Sequence, residues 1–390
     1  MTVVTTIEDL RQLHRRRVPR MFYDYCDSGS WTESTYRDNQ NALARIRFRQ
    51  RVAVDISARS LAAHMVGQPV SMPVALAPTG LTGMQYPDGE IKAAQAAEAF
   101  GVPFTLSTMS ICSIEDVAAH TTQPFWFQLY VMRDRDYIER LIGRAQAAGC
   151  SALVLTLDLQ IMGQRHKDIH NGLATPPRFN LKTLLDLGRR PAWCLRMLGT
   201  RRHGFGNVVG HVPGAENLTS LAQWSQSQLD PTLDWSDVAW IRSLWKGPLI
   251  LKGIMDPEDA RRAADSGAQA LIVSNHGGRQ LDGAPATIDV LPEIARAVNG
   301  RMEVWMDGGI RSGQDVLRAL ASGATATMIG RAFLHGLGAM GAAGVTKALE
   351  IIRNELDLSM AFCGVRDIRE IDERILWTGS QVVGQGAATS

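Results

Sequence analysis

The feature that most constrains this chain is a unit repeated eight times from about residue 70 onward. Each unit is a short apolar, β-branched run, then a polar or glycine-bearing stretch, then an Ala/Glu/Arg-rich amphipathic segment. Runs too short for buried helices, alternating with segments of helical periodicity, read as strand–helix pairs. The runs lie at 73–77, 103–106, 125–130, 152–157, 248–252, 270–274, 303–307 and 325–330. Gly101, Gly149, Gly267 and Gly323 each close a helical pattern just before the next run, where a left-handed cap favours a residue without Cβ. Eight such units predict a single-domain α/β fold, a (β/α)8 TIM barrel over about 70–355. A doubly wound open sheet is the alternative, weakened by the lack of a GxGxxG after an early strand. Residues 1–70 read as an N-terminal helical preamble able to cover one end of the barrel, and 159–235 as a long insertion after the fourth strand.

The bulk properties suit this reading. A chain of 390 residues, 45% hydrophobic and 21% charged, can close one large barrel. A net charge of +2 argues against a nucleic-acid partner. Cys26, Cys112, Cys150, Cys194 and Cys363 are odd in number and never in a CxxC pair, which argues against a disulfide framework or a zinc site. His166 and His170 are spaced i, i+4, but no third ligand stands near them in sequence, so no metal is expected. The opening MTVVTTIEDLRQLHRRR lacks the apolar core of a secretory signal, and no apolar run has membrane-spanning length, so a cytoplasmic location is expected.

Function in such barrels sits at the C-terminal ends of the strands. Here those ends carry Pro78-Thr79-Gly80, Ser107-Thr108, Gln128 with Tyr130, Thr156 with Asp158, Lys252, Ser274-Asn275-His276 with Arg279, Asp307-Gly308-Gly309 with Arg311, and Gly330-Arg331. The paired glycines and two arginines of the last two ends expose backbone N–H groups and guanidinium forks, which suits a cofactor phosphate; plain turn residues with solvated arginines are the alternative. Lys252 ends an apolar run, placing an ammonium inside the barrel mouth where it needs an anionic partner, such as a flavin ring on reduction; a Schiff-base lysine is the other use. His276 can take a proton near neutrality, and Arg279 can grip a carboxylate with two prongs.

SNHGGRQLD at 274–282, DGGIRSGQDV at 307–316, FQLYV at 127–131 and LAPTGLTGM at 76–84 together resemble the FMN-dependent L-2-hydroxy acid oxidases and dehydrogenases, over about residues 7–380. The resemblance implies FMN as cofactor, a small 2-hydroxy acid as substrate, His276 as catalytic base and Asp158 against its imidazole. It implies that Tyr25 and Arg279, with Arg165 close by, hold the substrate carboxylate, and that Tyr130 contacts the substrate oxygen. Thr79, Gly80, Ser107, Gln128, Thr156, Lys252 and Ser274 would line the isoalloxazine and ribityl chain. Asp307, Gly308, Gly309, Arg311, Gly330 and Arg331 would hold ribityl and phosphate. A homo-oligomer, by analogy a tetramer, is also implied.

Three departures refine the expectation. The chain leaves no room before its preamble for the haem domain that some members carry. Glycine at position 80, where oxygen-using members carry alanine, resembles the dehydrogenases that reduce a quinone or similar acceptor. Met109 replaces a tryptophan and implies a roomier pocket. L-lactate is the favoured substrate, with (S)-mandelate the alternative and a 2-hydroxy acid oxidase a third reading. A flavin-free barrel isomerase and a flavin-binding sensor compete from other classes.

Residues 178–202 hold Arg178, Lys182, Arg189, Arg190, Arg196, Arg201 and Arg202 against one acid, Asp186. Leucines and Trp193 are interleaved. Two short basic amphipathic helices, the second opened by Pro191, are expected to dock on an anionic membrane surface, peripherally on the inner face; a flap over the substrate is the alternative.

Overall fold

The computed structural model describes residues 3–173, 181–212 and 227–378. A two-stranded ribbon, β1 (Ala63–Met65) and β2 (Gln68–Val70), precedes eight parallel strands. These are β3 (Val74–Leu76), β4 (Thr105–Ser107), β5 (Trp126–Tyr130), β6 (Ala152–Thr156), β7 (Leu249–Ile254), β8 (Ala270–Val273), β9 (Glu303–Met306) and β10 (Ala326–Ile329). Each pairs with its sequence neighbour, and β10 returns to β3 through Ile329 opposite Leu76. The ring closes where the Leu76 N–H donates to Pro103 O at 2.8 Å, beside the parallel bridge of Leu76 with Phe104. All eight predicted runs are therefore strands, and the open-sheet alternative is excluded.

The strands are buried on both faces, as parallel strands between a packed interior and an outer layer of helices must be. Trp126, at the N-terminal end of β5, stacks on Trp305 of β9 at 5.3 Å between ring centroids, both fully buried. Polar side chains accumulate at the opposite ends: Ser107, Gln128, Thr156, Lys252, Ser274 and Asp307, all buried. Gly101, Gly149, Gly267 and Gly323 adopt positive φ as expected of left-handed caps.

The preamble forms three helices, Ile7–Arg17, Arg20–Cys26 and Ser34–Arg45. The first lies along the helix Arg331–Met340 that follows β10. The segment between the second and third crosses the loop after β8, where the Ser30 N–H donates to Gly278 O (2.9 Å). Asp282 fixes this crossing by accepting from the Thr32 and Thr35 N–H groups and the Ser34 hydroxyl. The preamble thus covers the C-terminal face of the barrel.

In the insertion, Leu181–Gly188 and Pro191–Met197 are the two short helices foreseen, with proline in the first turn of the second. Arg178 lies outside the described residues. Leu184, Leu185, Leu195 and Leu198 are exposed. Trp193 is not among the outward residues: its indole N–H donates to Met84 O (3.1 Å) and its ring stacks on Phe22. Arg202 is also engaged, between Asp88 (2.9 Å) and Asp116 (2.8 Å). Among the described side chains, the surface left for an external partner is the leucines with Arg189, Arg201 and the exposed Arg196, which lies over the Tyr86 ring at 5.4 Å; the Lys182 side chain lies outside the described residues.

Candidate active site

The end of β6 delivers Asp158 and the end of β8 delivers His276, and their side chains meet at 2.9 Å between His276 Nδ1 and Asp158 Oδ1. Two local features make the meeting possible. His276 adopts positive φ (56°), opening a sharp turn continued by Gly277 and Gly278. On β7, Gly253 leaves room: a Cβ there would lie 2.7 Å from Asp158 Cβ. Burial works against an ionised Asp158, but His276 and Lys252 overcome it and hold the carboxyl below its ordinary value. With Nδ1 turned to a carboxylate, the imidazole keeps Nε2 for an external proton.

Lys252, buried at the end of β7, donates to Ser274 Oγ (2.7 Å) and pairs with Asp307 at 2.9 Å. Burial would lower its pKa, but Asp307 and Asp158 raise it, so it stays an ammonium. Ser274 Oγ also accepts the His276 N–H (3.2 Å), tying base and lysine to one hydroxyl. Beside Lys252, the chain Ser107–Gln128–Thr156 runs across β4, β5 and β6, with Ser107 Oγ donating to Gln128 Oε1 (3.1 Å) and Gln128 Nε2 donating to Thr156 Oγ1 (3.1 Å). Across the mouth, the Thr79 and Thr82 hydroxyls meet at 2.7 Å.

A cationic cluster flanks the imidazole. The Arg279 guanidinium lies 4.7 Å from the Tyr25 ring centroid and Arg165 lies 5.6 Å from it. Arg165 is neutralised by Asp168 at 2.6 Å. Arg279 donates only to the backbone carbonyls of Tyr25 (2.6 Å) and Ser28 (3.3 Å), and among the described residues no carboxylate pairs with it. Burial, then the neighbouring Arg165, pushes its pKa down to about 10. A buried guanidinium so placed calls for an added anion. Tyr130 joins the cluster, its phenol pushed well up by burial and then by Asp158 and Tyr25.

The last two strand ends divide their work differently from the sequence expectation. Gly308 and Gly309 both have positive φ, and Asn39 O approaches to 2.3 Å of where a Gly309 Cβ would stand, so the pair also seats the preamble. Arg331 turns its guanidinium to the preamble and the loop after β8: Nε donates to Cys26 O (2.9 Å), one amino group to Gly277 O (2.9 Å), the other to Ser28 O (2.6 Å). Its backbone N–H stands at the start of a ten-residue helix, where partial positive charge gathers. Arg311 donates to the adjacent Ile310 O (2.9 Å). At Gly330 nothing in the protein requires glycine: φ is −103° and a Cβ would meet no atom closer than 3.8 Å.

Three supporting residues were missed at the sequence level. Gln280 pins the loop after β6, donating to Asp158 O and Ile161 O (both 2.8 Å); its place inside SNHGGRQLD was the available signal. Asp168 neutralises Arg165 from three residues away. Asn39 and Asn275 exchange amide hydrogen bonds at 2.9 Å across 236 residues, which no local pattern announces.

Comparison with known proteins bears on this geometry. The family described as FMN-dependent dehydrogenase matches residues 14–378. An L-lactate dehydrogenase of Caulobacter vibrioides (strain NA1000 / CB15N) is 46% identical over 376 residues, covering 96% of this chain and 98% of that protein. One of Chromohalobacter salexigens is 43% identical over 379 residues, covering 97% and 96%. Among solved structures, a monotopic membrane protein, (S)-mandelate dehydrogenase, superposes with a TM-score of 0.92 at 36% identity, covering 97% of this chain and all of that one.

Proposed function

The chain belongs to the FMN-dependent dehydrogenase family, and from that premise we propose that its substrate is L-lactate, oxidised to pyruvate, and that the electrons leave to a quinone. It is an FMN-dependent 2-hydroxy acid dehydrogenase. The observation that carries the substrate class is Arg279, a buried cation without a carboxylate, next to an imidazole already oriented by one. Lactate dehydrogenases among the more similar relatives favour lactate over mandelate.

The residues present fit FMN. Asp307 Oδ1 is buried without a partner, as suits a residue awaiting a ribityl hydroxyl. Gly330, at a helix N-terminus and without close contacts, suits the approach of a phosphate, and Gly308, Gly309, Arg311 and the Arg331 backbone are the groups proposed to hold it. Thr79, Gly80, Ser107, Gln128, Thr156, Lys252 and Ser274 form the wall for the ring. Bound there, FMN supplies the two-electron acceptor. Arg279, with Tyr25 and Arg165, anchors the substrate carboxylate. The Tyr130 phenol donates to the substrate oxygen. His276 Nε2 takes the proton that the substrate releases, and Asp158 stabilises the imidazolium so formed. Lys252 keeps a positive charge beside the ring throughout.

Gly80 supports an acceptor other than oxygen, and the exposed leucines and arginines of the insertion support peripheral attachment to an anionic membrane, where a quinone resides. Among the described residues no helix is long and apolar enough to cross a membrane. A homo-oligomer is inferred by analogy and is read by light scattering. The deciding experiment is anaerobic addition of L-lactate, D-lactate, (S)-mandelate and glycolate to the yellow holoenzyme. Rapid bleaching by L-lactate alone is expected; faster bleaching by (S)-mandelate would replace lactate, and no bleaching by any would end the proposal.

A further inference from the structure

Away from the barrel mouth, the first preamble helix presents His14 to the helix Arg331–Met340, which presents His335. Both imidazoles are fully buried, their Nδ1 atoms are 3.1 Å apart, and Cys26 is buried beside them. One nitrogen of each imidazole and the Cys26 sulfur lie within 4.8 Å of one another. The helix is shaped for this contact: a Cβ at Gly338 would fall 2.1 Å from His14 Cδ2, so only glycine admits the ring.

With both rings neutral, as burial favours, the hydrogen bonds fix the tautomers and leave one nitrogen unmatched. Gln85 Nε2 donates to Phe22 O (3.0 Å), so Gln85 Oε1 faces His14 Nε2 (2.8 Å), which must carry the proton. His14 Nδ1 is then a bare lone pair, and the His335 proton must sit on Nδ1 to satisfy it. That leaves His335 Nε2 as a second bare lone pair, buried without a partner and facing Asp27 Oδ1 at 3.9 Å. Asp27 already accepts from Tyr23, Tyr36 and Arg11 and has no proton to offer.

A cation between the two Nδ1 atoms removes the mismatch. It accepts both lone pairs and moves the His335 proton to Nε2, where the N–H faces the Asp27 carboxylate 3.9 Å away, about 1 Å of approach from a hydrogen bond. Each ligating imidazole then directs its other N–H at an acceptor, Gln85 at 2.8 Å for His14 and Asp27 at 3.9 Å for His335, the kind of outer support that metal-bound histidines use. We propose that His14, Cys26 and His335 form a structural metal site for a thiophilic cation, Zn²⁺ or Cu⁺, that clamps the preamble onto the helix after β10. Two imidazoles and a thiolate suit either ion. With bonds of about 2.0–2.3 Å, ligand atoms around one ion stand roughly 3.3–3.8 Å apart. The imidazole pair is already that close, and the sulfur closes by at most about 1.5 Å. Binding releases the thiol proton to solvent, and no electron is transferred.

The test is elemental analysis of untagged holoenzyme after gel filtration, with X-ray absorption at the zinc and copper edges. One equivalent of zinc or copper per chain, bound by one sulfur at about 2.3 Å and two nitrogens at about 2.0 Å, is expected. The metal found tells the two ions apart. Cys26→Ser and His335→Gln should fall below a tenth of an equivalent. Where either variant fails to fold, the absorption spectrum of the unaltered protein still decides. Less than a tenth of an equivalent, both as isolated and after incubation with Zn²⁺ and with Cu⁺, overturns the site, as does a bound metal without sulfur in its shell.

Discussion

Arg279 makes its protein contacts through one amino group, leaving the rest of its fork without a carboxylate. Arg279→Lys keeps the charge but cannot grip with two prongs, so binding of oxalate, a non-reacting dianion, should weaken roughly 10- to 100-fold. Titration of the flavin absorbance with oxalate measures this, and an unchanged dissociation constant would remove Arg279 as the anchor. His276→Gln keeps a polar side chain but no proton acceptor. FMN should remain bound while flavin reduction slows by roughly 10²–10⁴, and stopped-flow reduction near the normal rate would dismiss His276 as the base. The residues at the strand ends were legible because each closes an apolar run. Arg331 was read correctly as a residue at the barrel mouth, but its guanidinium turns to carbonyls at Cys26 and Ser28, about 300 positions earlier. Local pattern carries no trace of such a bond.

Among the elements, the strands and their caps followed from periodicity and glycine placement, and Pro191 marked the second insertion helix. Which way the insertion's side chains turn did not follow. Trp193 has the amphipathic look of a membrane anchor, yet Phe22 and Met84 already hold it. The membrane reading therefore rests on Leu184, Leu185, Leu195 and Leu198. Replacing these four with serine should release the enzyme from anionic vesicles and leave flavin reduction by substrate within about twofold, because the substitutions lie outside the strand ends; exposed surface changes away from structural features rarely exceed about 0.5 kcal/mol. Co-sedimentation at low and high salt reads the first effect, since arginine attraction is screened and leucine burial is not. Equal sedimentation of both proteins would dismiss the membrane face, and loss of flavin reduction would identify a flap over the active site.

For the molecule as a whole, docking of the preamble on the barrel ties stability to pH. Burial acts to raise the Asp282 pKa, but hydrogen bonds from Thr32, Ser34 and Thr35 hold it well below the ordinary value in the folded state. A lowered folded pKa means a contribution fully present above the unfolded value, about 3.9, and lost as pH falls through the folded one. Asp282→Asn should lower the urea midpoint at pH 7 and flatten its decline below about pH 4. Parallel pH profiles for the two proteins would show that Asp282 does not fasten the preamble.

That docking also sets an order of events during synthesis. The Ser28 carbonyl leaves the ribosome 303 residues before the Arg331 guanidinium that holds it. At about 5–20 residues per second, the interval is roughly 15–60 s. Throughout it, the apolar face of Ile7–Arg17, with Ile7, Leu10 and Leu13, lacks the helix Arg331–Met340 that it lies along in the folded protein. The first helix made therefore waits roughly 15–60 s for the helix that covers it, with its apolar face exposed on the nascent chain.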